Sequence, residues 1–243
     1  MEPRPDSETA EYRAGWLRSN PWRAATSWIL LALLASGCES DLEQLRATNQ
    51  CVRCYLNESD LAGADLQGAN LTWSYLERAV LDDTNLSGAN LNGARLSEAS
   101  LRRAVLRRAD IRKASLARGI LDHADLREAN LSETDLSHAQ LTGARLDGAD
   151  LRAAVLRFAN LRGASLKAAN LQQADLTGAI LNTADLTSAN LRWAILAQAD
   201  LRATNLSHAN LVNTSFSGAD LTGAMWVDAT HRCSNQSCDG KAY

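Results

Sequence analysis

The stretch ADLTSANLRWA, Ala184 to Ala194, decides the fold: a small residue stands two positions before each leucine, and two corner positions follow it. Worked outward, the same register runs from Cys54 to Asp228 without an insertion or deletion, as 35 pentads covering 175 of the 243 residues. Leu occupies the centre of 32 pentads, the exceptions being Ile111, Phe216 and Trp226. Ala stands two residues earlier in 27 of the 35, and the others there are Gly119 or a small Ser, Thr or Cys such as Ser59, Thr84, Thr134 or Cys54.

A period of five suits neither regular element, because helical leucines would advance about 140° per repeat and strand leucines would alternate faces. The chain must therefore turn once per pentad. The small residue and the leucine, two apart, point inward as in a strand, and the next two residues make a corner. Stacked pentads then form a solenoid. Opposite charges on neighbouring rungs are mildly stabilising, by roughly 0.2 to 1 kcal/mol, so charge pairing between corner positions reports the coil length. At a separation of 20 residues there are ten opposite pairs, including the ladder Glu58, Arg78, Glu98, Arg118, against one like pair, Arg107 with Arg127. Separations of 15 and 25 residues give no such excess, which predicts four pentads per coil and a square cross-section.

Segments such as ADLQGANL, Ala64 to Leu71, reproduce the pattern A(D/N)LXX, and on these residues the chain resembles the pentapeptide-repeat family. That resemblance implies an all-β fold, a right-handed quadrilateral β-helix, and 35 pentads would make about nine coils. At a rung spacing of about 4.8 Å the rod would be roughly 40 Å long.

Composition agrees with one repeat domain and short ends: aromatic residues are 5% of the chain, so Leu and Ala must build the interior. Stability in such a stack is shared between neighbouring coils rather than held in one central core. A net charge of −3 and a sequence pI near 5.8 argue against a general nucleic-acid-binding surface, which is usually basic.

Residues 1–37 read as a signal peptide, with Arg4, Arg13, Arg18 and Arg23 ahead of the uncharged run Ala24 to Gly37. The run is too short to span a bilayer comfortably. Its end, LLASGC, resembles the lipobox of bacterial lipoproteins, with Ala35 where that motif favours Leu; the resemblance implies cleavage before Cys38 and lipidation of that cysteine. The alternative is an ordinary signal with Cys38 as a small apolar residue. Residues 38–53 follow as linker and N-terminal cap, where Ser40 and Glu43 have capping-box spacing and Leu42 and Leu45 can face the first coil. Caps are needed because an end coil exposes apolar interior and unpaired strand edges. Residues 229–243 are aperiodic and polar and read as a C-terminal cap or tail.

Of the five cysteines, Cys51 with Cys54 and Cys233 with Cys238 form close pairs, so local disulfides at the two caps suit an exported chain. Alternatively Cys51 and Cys54, at inward positions, are small core residues. A shared four-cysteine zinc site is excluded by the length of rod between the pairs. No catalytic constellation is legible: His123, His138 and His208 fall at separate outward corners, His231 lies in the tail, and the Asp and Asn residues fill a repeat slot. No enzyme activity and no cofactor are expected.

The surface feature that stands out is a basic band, Arg102, Arg103, Arg107, Arg108, Arg112, Lys113 and Arg118. It is either an anion or partner patch, or one side of a ladder with Asp82, Asp83, Asp122, Glu128 and Glu133 on adjacent coils. Trp73, Phe158 and Trp193 at corners, with Val155 and Ile195 nearby, suggest a contact surface. The combined reading is a non-enzymatic exported solenoid at the cell envelope, held to the membrane through Cys38, with an unidentified protein partner and no nucleic acid. A second role implied by the resemblance is a DNA mimic acting on gyrase in quinolone protection; the repeat block, with 17 basic and 20 acidic residues, lacks the strongly negative faces that role needs.

Overall fold

A pentad carries five backbone N–H groups, and where they go explains why the chain must stack on itself. The computed structural model describes residues 40–228; the segment 1–37, Cys38, His231, Cys233, Cys238 and the tail 229–243 lie outside them. In a representative pentad the N–H of the small residue closes a turn onto the preceding leucine, as Ala64 does onto Leu61 at 3.0 Å. The leucine N–H donates to the next coil, Leu61 to the Val80 carbonyl at 2.8 Å, and so does the second corner residue, Gly63 to Asp82 at 2.8 Å. The residue before the leucine donates back to the previous coil, as Val80 does to Ser59 at 2.9 Å. Four of the five N–H groups are thus taken by backbone carbonyls, leaving only the first corner position.

That residual N–H explains the Asp or Asn before so many leucines. Its side chain turns back over the corner: Asp60 Oδ1 accepts from Ala62 N–H at 3.1 Å, Asn90 from Asn92 at 3.0 Å, and Asp175 from Thr177 at 2.9 Å. These are Asx caps of the kind that short polar side chains make two residues on. Where the slot holds Ser100 or Gln140, an acid one coil away substitutes: Asp82 caps Arg102 N–H at 2.9 Å and Asp122 caps Thr142 N–H at 3.0 Å.

The bridging residues pair in parallel with a constant offset of 20 residues, from Gln50 with Asn70 to Asn205 with Met225. The coil is therefore four pentads long. The β character is confined to these isolated bridges, and among the described residues no extended strand forms, because the chain turns again after every bridging residue. The ladder begins at Gln50, one pentad earlier than the repeat boundary read at Cys54; Cys51 stands where later pentads have leucine and is fully buried.

Each turn puts its third residue at positive φ, and many of these are not glycine: Ala168 has φ 54°, Arg103 55° and Trp73 59°. Left-handed backbone costs an L-residue roughly 1 to 2 kcal/mol, so the rod stores that cost at its corners. Burial of leucine and alanine offsets it. Leu146, Leu151 and Ala149 are wholly inaccessible, and each buried leucine contributes about 1.5 to 3 kcal/mol. Polar residues at the small position are satisfied inside, as Thr84, Thr134 and Thr204 donate to the Leu61, Ile111 and Leu181 carbonyls at 2.8 to 2.9 Å.

At the first coil, helix α1, Asp41–Thr48, lies across the open end. Ser40 Oγ accepts from Glu43 N–H while the Glu43 carboxylate accepts from Ser40 N–H, and Asn49 ends the helix in the left-handed region. Leu45 is buried and Leu42 packs beside it. The helix also serves the edge that has no coil beneath it: the Asp41 carboxylate accepts Tyr55 N–H at 2.6 Å, and Gln44 Nε2 donates to the Gln50 carbonyl at 3.1 Å. Cys51 and Cys54 are joined by a disulfide, with 5.3 Å between Cα atoms. At the far end Phe216 and Trp226 hold leucine positions, partly buried, their rings 6.0 Å apart.

Candidate interaction surface

Because the backbone repeats every 20 residues, surface side chains fall into columns running along the rod, and chemistry must be read down a column. Each of the seven residues of the basic band has an acidic neighbour within 4 Å. Arg103 makes a two-point contact with Asp83 at 2.7 and 2.8 Å, and Arg108 meets Glu128 at 2.8 Å. Lys113 lies 3.8 Å from Glu133, Arg118 3.9 Å from Glu98 and Arg102 3.8 Å from Asp82, each one coil apart. Arg112 grips Asp110 within its own pentad at 2.6 Å. The guanidiniums of Arg103 and Arg112 hold the Asp83 and Asp110 carboxyls below the ordinary range, and Arg108 does the same to Glu128. The band is one half of a charge ladder.

Two details were not legible from corner positions alone. Some pairs link a corner to the slot residue of the next coil, as in Arg95 with Glu77 and Arg107 with Asp125, both at 2.7 Å. Asp125 also accepts from Arg127 at 2.7 Å, so the one like-charge pair in the band's column, Arg107 with Arg127, shares an acid between its members. Asp122, expected to face Arg102, instead caps backbone N–H at Thr142.

The corner aromatics do not form one surface. Phe158 lies on a different edge from Trp73 and Trp193, stacked on His138 at 5.2 Å and lying over Gly178. Trp193 shares an edge with Trp73, but the Arg192 guanidinium covers its ring at 4.2 Å. Val155 and Ile195 share a face, separated along it by Asp175. Near the first coils, by contrast, the apolar and cationic groups converge. Tyr55 and Tyr75 stack with centroids 4.6 Å apart and planes within 4°, and the Arg95 guanidinium sits 5.3 Å from the far side of Tyr75. Beside them Arg53, Trp73, Tyr75, Gly93, Arg95 and Lys113 line an open cleft of about 580 Å³.

His123, His138 and His208 sit at corners on different edges of the rod, His123 over Gly143. Among the described residues no group of three or more His, Cys, Asp or Glu is placed to hold a metal ion. Cys51 and Cys54 are oxidised and buried under α1.

The family model for pentapeptide repeats matches in eight copies, over residues 50–83, 79–116, 109–148, 144–182 and 184–223. Among solved structures, HetL, a pentapeptide repeat protein involved in heterocyst differentiation regulation in the cyanobacterium Nostoc, is 31% identical, with 78% of this chain and 97% of that one covered and a TM-score of 0.34. A pentapeptide repeat protein from the Arabidopsis thaliana thylakoid lumen is 40% identical over 40% of this chain and 68% of its own, with a TM-score of 0.38. QnrB1, a plasmid-mediated fluoroquinolone resistance protein, is 20% identical over 72% of this chain and 88% of its own, with a TM-score of 0.34. No curated protein matches the chain.

Proposed function

Since the chain belongs to the pentapeptide-repeat family, we propose that it is a non-enzymatic scaffold, exported and tethered to a membrane through lipidated Cys38, whose rod presents binding surfaces at the cell envelope. The observation that carries the scaffold reading is the unbroken parallel ladder from Gln50 to Met225. A rod in which three of the N–H groups of a pentad are tied to the coils above and below resists bending, and its side-chain columns stay in register over its length. Outward positions can then vary without disturbing the interior. The division of labour between Leu and Ala inside and charged or amide side chains outside has that form.

The tether rests on the sequence LLASGC ending at Cys38, preceded by an apolar run too short to serve comfortably as a span. A lipid chain contributes about 0.8 kcal/mol of membrane affinity per buried methylene. It would hold the capped first coil near the bilayer and leave the far end free for a partner. Fractionation of cells expressing the wild type and Cys38→Ser tests the reading. The wild type should sediment with membranes and resist a high-salt wash, and Cys38→Ser should be released or persist as unprocessed precursor. A wild-type chain found wholly in the soluble fraction contradicts the tether.

A further inference from the structure

We propose that the cleft beside Trp73 is a binding site for an acidic saccharide, with a sugar ring against the exposed indole and its acidic groups held by Arg53 and Lys113. The inference adds a ligand class to the scaffold reading on which it rests, and it does not depend on the membrane tether.

Three observations on one corner edge carry it. Arg53, Trp73, Gly93 and Lys113 occupy successive places in a single column, 20 residues apart, so a tryptophan lies between two cations along the rod. The Trp73 ring packs over Gly93, where a Cβ would come within 2.4 Å of ring carbons, and Trp73 remains 49% exposed. Gly93 therefore leaves the room that the indole occupies, which any side chain there would take away. Finally, the cations are not equally engaged. Arg95 is bound to Glu77 at 2.7 Å and Lys113 lies 3.8 Å from Glu133, whereas the Arg53 side chain has no acidic partner among the described residues.

Trp193 provides an internal comparison on the same edge. Its face is occupied by Arg192 at 4.2 Å, while the neighbouring Tyr75 is sandwiched between Tyr55 and Arg95. Among the described residues no ring or guanidinium is stacked on Trp73, which lines the cleft half-exposed. Indole faces carry negative π charge and attract the weakly positive C–H groups of a sugar ring, and arginine suits carboxylate, phosphate or sulfate through its planar fork. Single-stranded nucleic acid fits less well. It needs several free stacking platforms and a groove of one sign tracking its phosphates, while here Glu77 and Glu133 interrupt the cations and Tyr75 is already stacked.

Calorimetric titration of the full-length chain with polygalacturonate, dextran sulfate, neutral dextran and polyadenylate tests the proposal. At least one acidic glycan should bind, more weakly as salt is raised, and neutral dextran should not. Trp73→Ala should weaken that binding at least tenfold, Arg53→Gln several-fold with a shallower salt dependence, and Trp193→Ala should leave it unchanged. The proposal is overturned by no binding of either acidic glycan, by equal losses in Trp73→Ala and Trp193→Ala, or by Trp73-dependent binding of polyadenylate alone. Failure of these titrations leaves the membrane fractionation untouched, so the ligand and the tether are judged separately.

Discussion

The carboxylate of Asp82 accepts the backbone N–H of Arg102 at 2.9 Å, one coil away, while also lying 3.8 Å from the Arg102 guanidinium. One acid thus closes the corner of the next coil and takes part in the charge ladder. It further accepts from Ser100 Oγ at 2.5 Å, the residue that occupies the slot where Asp or Asn stands in other pentads.

The cap and the charge can be separated by substitution. Asp82→Asn keeps an acceptor oxygen and should cost little, since exposed ion pairs are worth about 0 to 1 kcal/mol. Asp82→Ala removes both functions and should cost about 1 to 2 kcal/mol in urea melts, in the range of a lost side-chain cap. For the same reason, Asp82→Lys combined with Arg102→Glu should not recover wild-type stability, because lysine offers the Arg102 N–H no acceptor.

Packing gives a larger effect. Leu146 is fully buried with coils above and below it, so Leu146→Ala should destabilise by about 2 to 5 kcal/mol. Thr142→Ala, at a corner, should be nearly silent in the same melts, and equal losses at the two positions would contradict the inward assignment.

The corners store removable strain. Ala168 holds a φ of 54°, where glycine is at ease, although glycine also gives the unfolded chain more freedom, by about 0.4 to 1 kcal/mol. The left-handed cost is the larger of the two. Ala168→Gly should therefore raise stability by up to about 1 kcal/mol, read as a higher denaturation midpoint with unchanged slope.

Acid should loosen the rod in a defined sense. Hydrogen bonds from Arg112 and Arg202 hold the Asp110 and Asp200 carboxyls below their ordinary pKa. A carboxyl whose folded pKa is depressed contributes stability that is complete above the unfolded value, near 3.9, and is lost as pH falls through the folded one. The melting temperature should therefore drop progressively below about pH 4, and Asp110→Asn with Asp200→Asn should flatten that drop. A pH profile unaltered by the two substitutions would argue against these pairs.

The coil length was legible because the charge alternation of Glu58, Arg78, Glu98 and Arg118 matches the parallel offset of the bridges, and Arg78 meets both glutamates, at 3.6 and 3.0 Å. The inward leucines were legible for an equally local reason, since each pentad repeats the same burial problem. What stayed hidden was the task of the Asp and Asn slot, which emerges only when the backbone N–H groups are followed one by one and the first corner position is left over. The Trp73 cleft was hidden too. Its members stand 20 residues apart and become neighbours only once the offset is known, and nothing in the sequence separates the unstacked ring of Trp73 from the ring of Trp193 beneath Arg192.

Intact-mass measurement of the mature protein, purified from membranes, tests the proposed function most directly. The tethered-scaffold account predicts a chain that begins at Cys38 and carries added acyl mass on that residue. A mature chain beginning elsewhere, or beginning at Cys38 without acyl mass, would contradict it.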